Sequence, residues 1–213
     1  FKWVWGLGLC LSLVALTLTL TRSAWVGLVV GACLILLLYK PLSLLLVPVA
    51  AGLFFAASPQ HIQKRALSIF NLRNSTNQLR IEYFQAGLKI IGDFPLWGTG
   101  PDTVDMVFKN PQYGLSRVAK DNVHLHNNIL QIGAERGLPA LAAWLTFMVW
   151  TFFSLIRLLR NKDPPIRPFA ASALAALLAL AAAGLFEYNF ADSEVIALFL
   201  FILTIPFAQE KGK

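Results

Sequence analysis

Long apolar runs alternate with polar segments along this chain, and the pattern predicts a membrane protein with six spanning helices. A spanning helix needs roughly 17–25 predominantly apolar residues. The predicted spans are residues 3–20, 24–38, 42–57, 138–159, 169–186 and 195–208. The second and the last are short, so we expect them to tilt or to be extended by flanking residues. The fold class that follows is all-α, a polytopic membrane helix bundle.

The same pattern divides the chain into three parts. Residues 1–57 hold three predicted transmembrane helices, residues 58–137 form a large loop domain, and residues 138–213 hold three further transmembrane helices. The loop domain carries aromatic and apolar residues at close spacing, which is not typical of a disordered linker. Asn74 offers a helix N-cap, and residues 78–91 predict an amphipathic helix. We therefore expect a partly helical loop.

The composition agrees with a membrane protein and argues against a soluble domain or a nucleic-acid-binding protein. Hydrophobic residues make up 57% of the chain and charged residues 14%, whereas a soluble domain carries about 25% charged residues. The net charge is +7, but most of the surplus lies at the ends of spans, where topology explains it, so no nucleic-acid partner is predicted. Cys10 and Cys33 lie in apolar runs and are interpreted as small buried residues, without a disulfide or zinc pattern.

Lysines and arginines in the short connectors predict the orientation in the membrane. The basic connector 160–167 is placed in the cytoplasm, and alternation then puts the C-terminus there as well. The loop domain and the acidic connector 187–194 fall on the outer face. Arg22 also falls outside, against the bias. Its guanidinium either snorkels to the interface or forms an anion site that opens beside the loop domain.

The loop domain is basic, with nine lysines and arginines against six aspartates and glutamates. This surplus suits a phosphorylated or otherwise anionic substrate near the bilayer, although exposed charges also simply solvate a loop. Arg80 is singled out because Leu79 and Ile81 flank it. That setting predicts a half-buried guanidinium that holds a phosphate with paired donors.

His124 and His126 are the candidate chemical groups near the end of the loop domain. Metal binding would need further ligands, and no His-Glu-x-x-His or Gly-x-Ser-x-Gly motif is present, which disfavours a zinc protease or an esterase-type serine hydrolase. Each histidine is alternatively a structural hydrogen bonder. Gly98 and Gly100 lack a following Gly-Lys-Ser/Thr, so they predict a tight turn and not a nucleotide-binding loop.

Three stretches together resemble the C-terminal half of the O-antigen ligase family, which is grouped with O-antigen polymerases and related membrane glycosyltransferases. The first is residues 18–25, with an arginine between two spans, and the second is residues 79–101, which end in Pro-Leu-Trp-Gly-Thr-Gly-Pro. The third is His126-Asn127 followed, after nine residues, by Gly137. Ala140 departs mildly from the small position that closes the family's signature.

The resemblance implies a reaction. Such a ligase takes a glycan from undecaprenyl pyrophosphate and transfers it to a sugar hydroxyl of lipid A-core, at the periplasmic face of the bacterial inner membrane, without nucleotide sugar, cofactor or metal. The implied partners are the lipid-linked donor, lipid A-core or another glycan acceptor, and membrane lipid. Family members carry further spans on the N-terminal side, so we expect Phe1 to be a truncation point.

The resemblance also implies roles for particular residues. Arg22 and Arg80 would hold the pyrophosphate and stabilise its charge as it leaves. His126 would deprotonate the acceptor hydroxyl or position it. The other expected substrate-binding residues are Asn127, His124, Arg73, Asp192 and Glu194. The last two belong to connector 187–194, which looks like the family's last external connector, and they would orient an arginine or the acceptor.

Two alternatives stay open. A polymerase or a protein O-glycosyltransferase of the same superfamily would use the same donor and differ only in its acceptor. A membrane transporter is the non-enzyme alternative, since some relatives have been linked to bicarbonate uptake. A transporter is expected to hold ionisable residues within its spans. The predicted spans hold none away from their ends, which favours an enzyme at the membrane surface.

Overall fold

The computed structural model describes residues 2–71, 73–161 and 166–211, with only the backbone of Lys2 and Lys211. Its helices are α1 (Lys2–Leu18), α2 (Arg22–Tyr39), α3 (Val47–Ala57), α4 (Gln60–Leu67), α5 (Ser75–Asp93), α6 (Val104–Phe108), α7 (Arg117–Lys120), α8 (Asn128–Leu159), α9 (Ile166–Ala183) and α10 (Ser193–Lys211). Two short 3-10 helices lie between them: Pro41–Leu46 between α2 and α3, and Pro111–Tyr113 between α6 and α7. The described residues form no strand. The all-α prediction is confirmed.

Four helices are long and apolar enough to cross a membrane. They are Arg22–Tyr39, Asn128–Leu159, Ile166–Ala183 and Ser193–Glu210. They correspond to the second, fourth, fifth and sixth predicted spans. The first and third correspond to shorter apolar helices, Trp3–Leu18 and Pro41–Ala57. The third is divided between a 3-10 helix and α3, because Pro48 lacks an N–H and stands where a new helix begins.

Helices α2 and α9 pack closely through small residues. A Cβ added to Gly27 would stand 2.8 Å from the carbonyl oxygen of Ala179, and one added to Gly31 would stand 3.4 Å from that of Ala175. A spacing of four residues puts both glycines on one face of α2. Such close approach of two backbones is typical of helix pairs in membranes. The contact brings the start of α2 beside the end of α9.

The loop domain has a core of its own. Tyr83, Ala86 and Ile90 recur every three to four residues along α5 and are buried, so they form the inner face of an amphipathic helix. The rest of this core is contributed by later residues: Val104, Phe108, Tyr113, Leu115, Ala119, Leu125, Leu130 and Ala134. At the start of α5, Asn74 Oδ1 accepts a hydrogen bond from the Thr76 N–H at 3.1 Å. The predicted N-cap and amphipathic helix are confirmed.

Helix α8 begins at Asn128, well before the predicted span, and bends at Gly137, whose φ of 77° lies in the left-handed region. Pro139 lacks an N–H, so the carbonyl of Glu135 loses its partner within the helix. The N–H of Gly100 donates to that carbonyl at 2.9 Å instead. The turn that contains Gly100 therefore docks on the bend and completes its hydrogen bonding.

Candidate active site

The candidate site lies where the loop domain meets the ends of α2 and α9. Four segments supply it: the start of α2 with Arg22, the first half of α5 with Arg80, the segment before α8 with His126, and the connector after α9 with Glu187. These residues are far apart along the chain. The fold brings them to one surface beside the spanning helices.

His126 is held at both ring nitrogens. Its Nδ1 lies 2.6 Å from Oε1 of Glu187, and its Nε2 lies 2.9 Å from Nδ2 of Asn122. The Tyr83 ring lies beside the imidazole, with 5.6 Å between the ring centroids. The backbone of His126 has φ 49°, in the left-handed region that few non-glycine residues adopt. This backbone conformation is unfavourable by itself, so the contacts of the imidazole hold the residue in it.

Glu187 uses its two carboxylate oxygens for different partners. Oε1 meets His126, and Oε2 lies 4.0 Å from Nη2 of Arg80. Burial alone would raise the pKa of Glu187, but the hydrogen bond and charge of His126, a backbone hydrogen bond at Tyr188 and the Arg80 charge lower this pKa below its ordinary value. The carboxylate is therefore ionised at neutral pH and links the histidine to the arginine.

Arg22 is buried within the protein, being only 4% exposed. Its Nη1 donates to the carbonyl of Ser68 at 3.0 Å and to the Ser68 hydroxyl at 3.1 Å. Its Nη2 is buried and has no hydrogen-bond partner within the described part of the chain. This environment argues against the snorkelling interpretation, because a snorkelling guanidinium would reach water or lipid headgroups.

Arg80 is half-buried, with its guanidinium carbon 5.9 Å from the centre of the Phe186 ring. Burial lowers the pKa of Arg80, Glu187 acts in the opposite direction, and the charge of Arg65 adds to the lowering. Arg65 itself donates to the carbonyl of Leu20 at 3.0 Å. The charge of Arg65 is thus close enough to act on Arg80. Together with Arg22 they give this side of the site a net positive charge that attracts anions.

Two adjoining cavities open on these groups. One, of about 230 Å³, includes Arg22 in its wall. The other, of about 410 Å³, includes His126 and Asn127. Arg80 and Phe186 line both cavities, and most of the remaining wall is apolar. A ligand that reaches from Arg22 to His126 therefore passes Arg80.

Comparison with known families identifies the chain. The O-antigen ligase family model matches residues 7–145, well over half of the sequence. The chain belongs to the O-antigen ligase family. Membership implies a membrane glycosyltransferase that uses a lipid-linked glycan and a glycan acceptor, and the long apolar helices agree with a multi-pass membrane protein. No curated protein matches the chain.

The family match includes Arg22, Arg80 and His126 but ends before Glu187. Glu187 was not among the residues predicted for the site, because three carboxylates share connector 187–194 and spacing alone does not rank them. Glu187 directly follows the predicted span 169–186, but Glu194 directly precedes the predicted span 195–208, so nearness to a span does not separate them either.

The two carboxylates that sequence analysis selected from that connector lie elsewhere. Asp192 and Glu194 are exposed at the start of α10. The Glu194 carboxylate accepts a hydrogen bond from the Ser193 hydroxyl at 3.1 Å. In the described residues of this ligase-family protein, the carboxylate that pairs with an arginine and a histidine of the site is Glu187.

The other expected substrate-binding residues have different settings. Asn127 caps α8 by accepting a backbone N–H of its first turn, and its Nδ2 donates to the carbonyl of Leu185 at 3.0 Å. His124 contacts the Tyr188 ring edge-on, with centroids 5.5 Å apart. Arg73 is exposed just ahead of α5. Asn127 therefore lies in a wall of the site, whereas Arg73 lies on the surface.

Asn128 holds the acidic connector against α8, a role that the sequence did not indicate. Its Oδ1 accepts from the backbone N–H groups of Asn189 and Phe190 at 3.1 and 3.2 Å, and its Nδ2 donates to Asn189 Oδ1 at 2.8 Å. A Cβ at Gly184 would overlap the Asn128 amide, so only glycine permits this approach. These contacts fix the connector that carries Glu187.

The predicted glycine turn is confirmed as a structural turn. Gly98 and Gly100 have φ values of 66° and 106°, which glycine adopts without steric cost. A Cβ at Gly98 would overlap the backbone of Glu135. The Gly100 N–H is already used by α8, so the turn does not offer it to a phosphate.

Other features of the described chain do not add reactive groups to this site. A cavity of about 620 Å³ runs along α8 from Leu145 to Arg157, and its wall contains neither histidine nor carboxylate. Among the described residues, no group of three or more histidine, cysteine, aspartate or glutamate side chains is placed to hold a metal ion. The contacts among ionisable groups of the candidate site therefore remain those of His126, Glu187 and Arg80.

Proposed function

We propose that this protein is an O-antigen ligase-type glycosyltransferase. It moves a glycan from undecaprenyl pyrophosphate to a sugar hydroxyl of lipid A-core, at the periplasmic face of the bacterial inner membrane. The supporting observation is the series of contacts from Arg80 through Glu187 to His126, where two cavities adjoin. A cationic surface for phosphate lies beside a group that accepts a proton.

Arg22 and Arg80 bind the pyrophosphate of the donor in this proposal. A buried donor without a partner is costly, and Arg22 Nη2 is such a donor within the described chain, so a ligand that accepts from it would remove that cost. Arg80 lies 4.0 Å from Glu187, which is too long for a direct hydrogen bond. Its planar donors thus suit two phosphate oxygens. Exposed apolar side chains nearby, Ile81 and Phe84, suit a lipid chain.

His126 takes the proton of the acceptor hydroxyl. As that proton moves to the imidazole, the hydroxyl oxygen forms a bond to the anomeric carbon of the donor. The bond from this carbon to the pyrophosphate oxygen breaks, and its electron pair leaves with the oxygen. Arg22 and Arg80 stabilise the charge on the leaving group, and Glu187 stabilises the imidazolium. The imidazolium then releases its proton to water.

A polymerase or a protein O-glycosyltransferase of the same superfamily would use this donor site and this base with another acceptor. The assay therefore supplies lipid A-core, a second lipid-linked glycan and a protein acceptor in separate reactions. Transfer to lipid A-core supports the ligase function. Transfer only to one of the other acceptors would replace it with the corresponding alternative.

The deciding measurement is transfer from the undecaprenyl pyrophosphate-linked glycan by purified protein. His126→Ala should lose about 10²–10⁴-fold in rate, the usual size of general-base assistance. His61→Ala is the matched control, since His61 is exposed on α4, and it should keep the wild-type rate. His124→Ala should be milder than His126→Ala. Near-normal turnover by His126→Ala would remove histidine from the mechanism.

The same assay tests metal independence. Two arginines hold the charge of the leaving group in this proposal, so we expect transfer to persist in EDTA. Loss of transfer in EDTA, with recovery on adding a divalent metal, would contradict this expectation and would make His124 and His126 candidate ligands.

A further inference from the structure

The orientation of one amide determines which nitrogen of His126 carries a proton. Asn122 Oδ1 accepts the backbone N–H of Val123 at 3.0 Å, so Asn122 Nδ2 is the atom that faces His126 Nε2, at 2.9 Å. An amide nitrogen donates and does not accept. Nε2 must therefore accept, because a proton on it would bring two donors face to face.

The proton of the neutral imidazole consequently lies on Nδ1. That nitrogen is 2.6 Å from Oε1 of Glu187, which accepts the hydrogen bond. The two neighbours agree, since a carboxylate accepts at one nitrogen while an amide donates at the other. The lone pair that a general base needs is on Nε2, the position that Asn122 covers.

We propose that Asn122 is a positioning residue for the transfer reaction. Its amide keeps Nε2 of His126 unprotonated and holds the imidazole in a fixed orientation. When the acceptor binds, its hydroxyl replaces the amide as the hydrogen-bond donor to Nε2. This inference rests on the proposed function, in which His126 is the base. The incoming hydroxyl donates to Nε2 as the amide did, so the tautomer is the same before and after the exchange.

The neutrality of Asn122 matters because of the other groups around His126. Glu187 supplies a negative charge at Nδ1, and Arg80 lies on the far side of Glu187. Tyr83 from α5 and His124 from the same segment also face the ring. Burial and, to a smaller extent, the charge of Glu82 raise the pKa of Tyr83, while a hydrogen bond with Asn122 lowers it. The net effect is a raised pKa, so the phenol is neutral at neutral pH. A carboxylate in place of the amide would enclose the imidazole between two anions.

Asn122→Asp is the sharp test, because it keeps the shape of the side chain and changes its charge. Ring-nitrogen NMR of ¹⁵N-histidine-labelled protein reports the protonation of each nitrogen, and His126→Gln assigns the signals among the three histidines. Wild-type protein should show Nδ1 protonated and Nε2 unprotonated near neutral pH. In Asn122→Asp the doubly protonated form should persist to higher pH, by about one pH unit or more.

The matched control is Asn110→Asp, which makes the same charge change at an exposed cap whose side chain accepts the Gln112 N–H. Its His126 signals should titrate as in the wild type. A protonated Nε2 in neutral wild-type protein, or identical titrations for Asn122→Asp and Asn110→Asp, would overturn the inference. This measurement needs no donor or acceptor, so it does not depend on the proposed function.

The pH profile of transfer completes the test. In Asn122→Asp the acidic limb of kcat/KM should move to higher pH by about one unit or more. In Asn122→Ala the limb should stay in place, while kcat/KM falls by roughly two- to tenfold, because kcat/KM reports the free enzyme, in which this hydrogen bond orients the imidazole. If NMR shows the shift and the acidic limb does not move, the hydrogen-bond arrangement is supported and His126 is not the base.

Discussion

Arg80 must serve both Glu187 and an incoming anion, and the geometry shows how one guanidinium does both. Its Nη2 is 4.0 Å from the carboxylate, so the pair interacts through charge and not through a direct hydrogen bond. The attraction orients the side chain without using its donors. The planar guanidinium then has donors left for two phosphate oxygens.

We expect Arg80→Lys to impair transfer nearly as much as Arg80→Ala. Lysine keeps the charge but loses the planar arrangement of donors. Loss of one charge-assisted contact costs about 1.5–3 kcal/mol, which corresponds to roughly tenfold to more than a hundredfold in rate. The measurement is the rate of transfer at saturating acceptor.

Arg117→Lys is the control for this prediction, because Arg117 is exposed on α7. It should leave the rate unchanged. Full activity in Arg80→Lys would show that Arg80 supplies only general positive potential.

Among the elements, the bend in α8 depends on the turn that docks against it. The bend leaves the carbonyls of Ala134 and Glu135 without helical partners, and the N–H groups of Thr99 and Gly100 donate to them, each at 2.9 Å. The bend at Gly137 lies in the same helix as the Asn127 cap, which directly follows His126. Its geometry therefore sets the direction in which the spanning part of α8 leaves the site.

Gly137→Ala should disrupt this junction. The φ of 77° disfavours any residue with a Cβ, and the new Cβ would overlap the carbonyl of Leu96. We expect a loss of stability on the order of 1–3 kcal/mol, a lower Tm in detergent and reduced transfer. Gly92→Ala is the control, since nothing lies within 4 Å of its added Cβ, and it should match or exceed the wild-type Tm. An unchanged Tm in Gly137→Ala would show that the turn does not hold the bend.

For the whole molecule, the approach of α2 to α9 builds the site from distant parts of the chain. Gly27 and Gly31 permit the close contact, which sets Arg22 near Phe186, and both residues line one cavity. Glu187 follows Phe186 directly and contacts His126. The packing of α2 against α9 therefore determines the distance between Arg22 and His126.

The proposed orientation is tested with single cysteines at Asn110 and Asn161, in a variant whose Cys10 and Cys33 are replaced by alanine. A membrane-impermeant thiol reagent is added to cells with a permeabilised outer membrane. We expect labelling at position 110 and none at 161, because basic short connectors stay in the cytoplasm. The opposite labelling would remove the site from the periplasm and contradict the proposed function.

Local sequence was sufficient for the features that depend on residues close together in the chain. Hydrophobic runs determined the helical class and the approximate spans, the Asn74 cap and the apolar spacing of Tyr83, Ala86 and Ile90 determined α5, and the paired glycines determined a turn. Local patterns also missed one local feature. Pro48 divided the third predicted span between a 3-10 helix and α3.

The resemblance selected Arg22, Arg80 and His126, but only the tertiary structure decided their partners. His126 meets Glu187 across 61 residues of sequence, and Arg22 meets Ser68 across 46. Neither distance follows from a periodicity, because each depends on how α2, α5, α8 and α9 pack. The sequence by itself determined which segments are helical and which side chains carry charge. The choice of Glu187 over Asp192 and Glu194, and of Nε2 as the unprotonated nitrogen of His126, required the packed structure, since hydrogen bonds are selected by proximity in space.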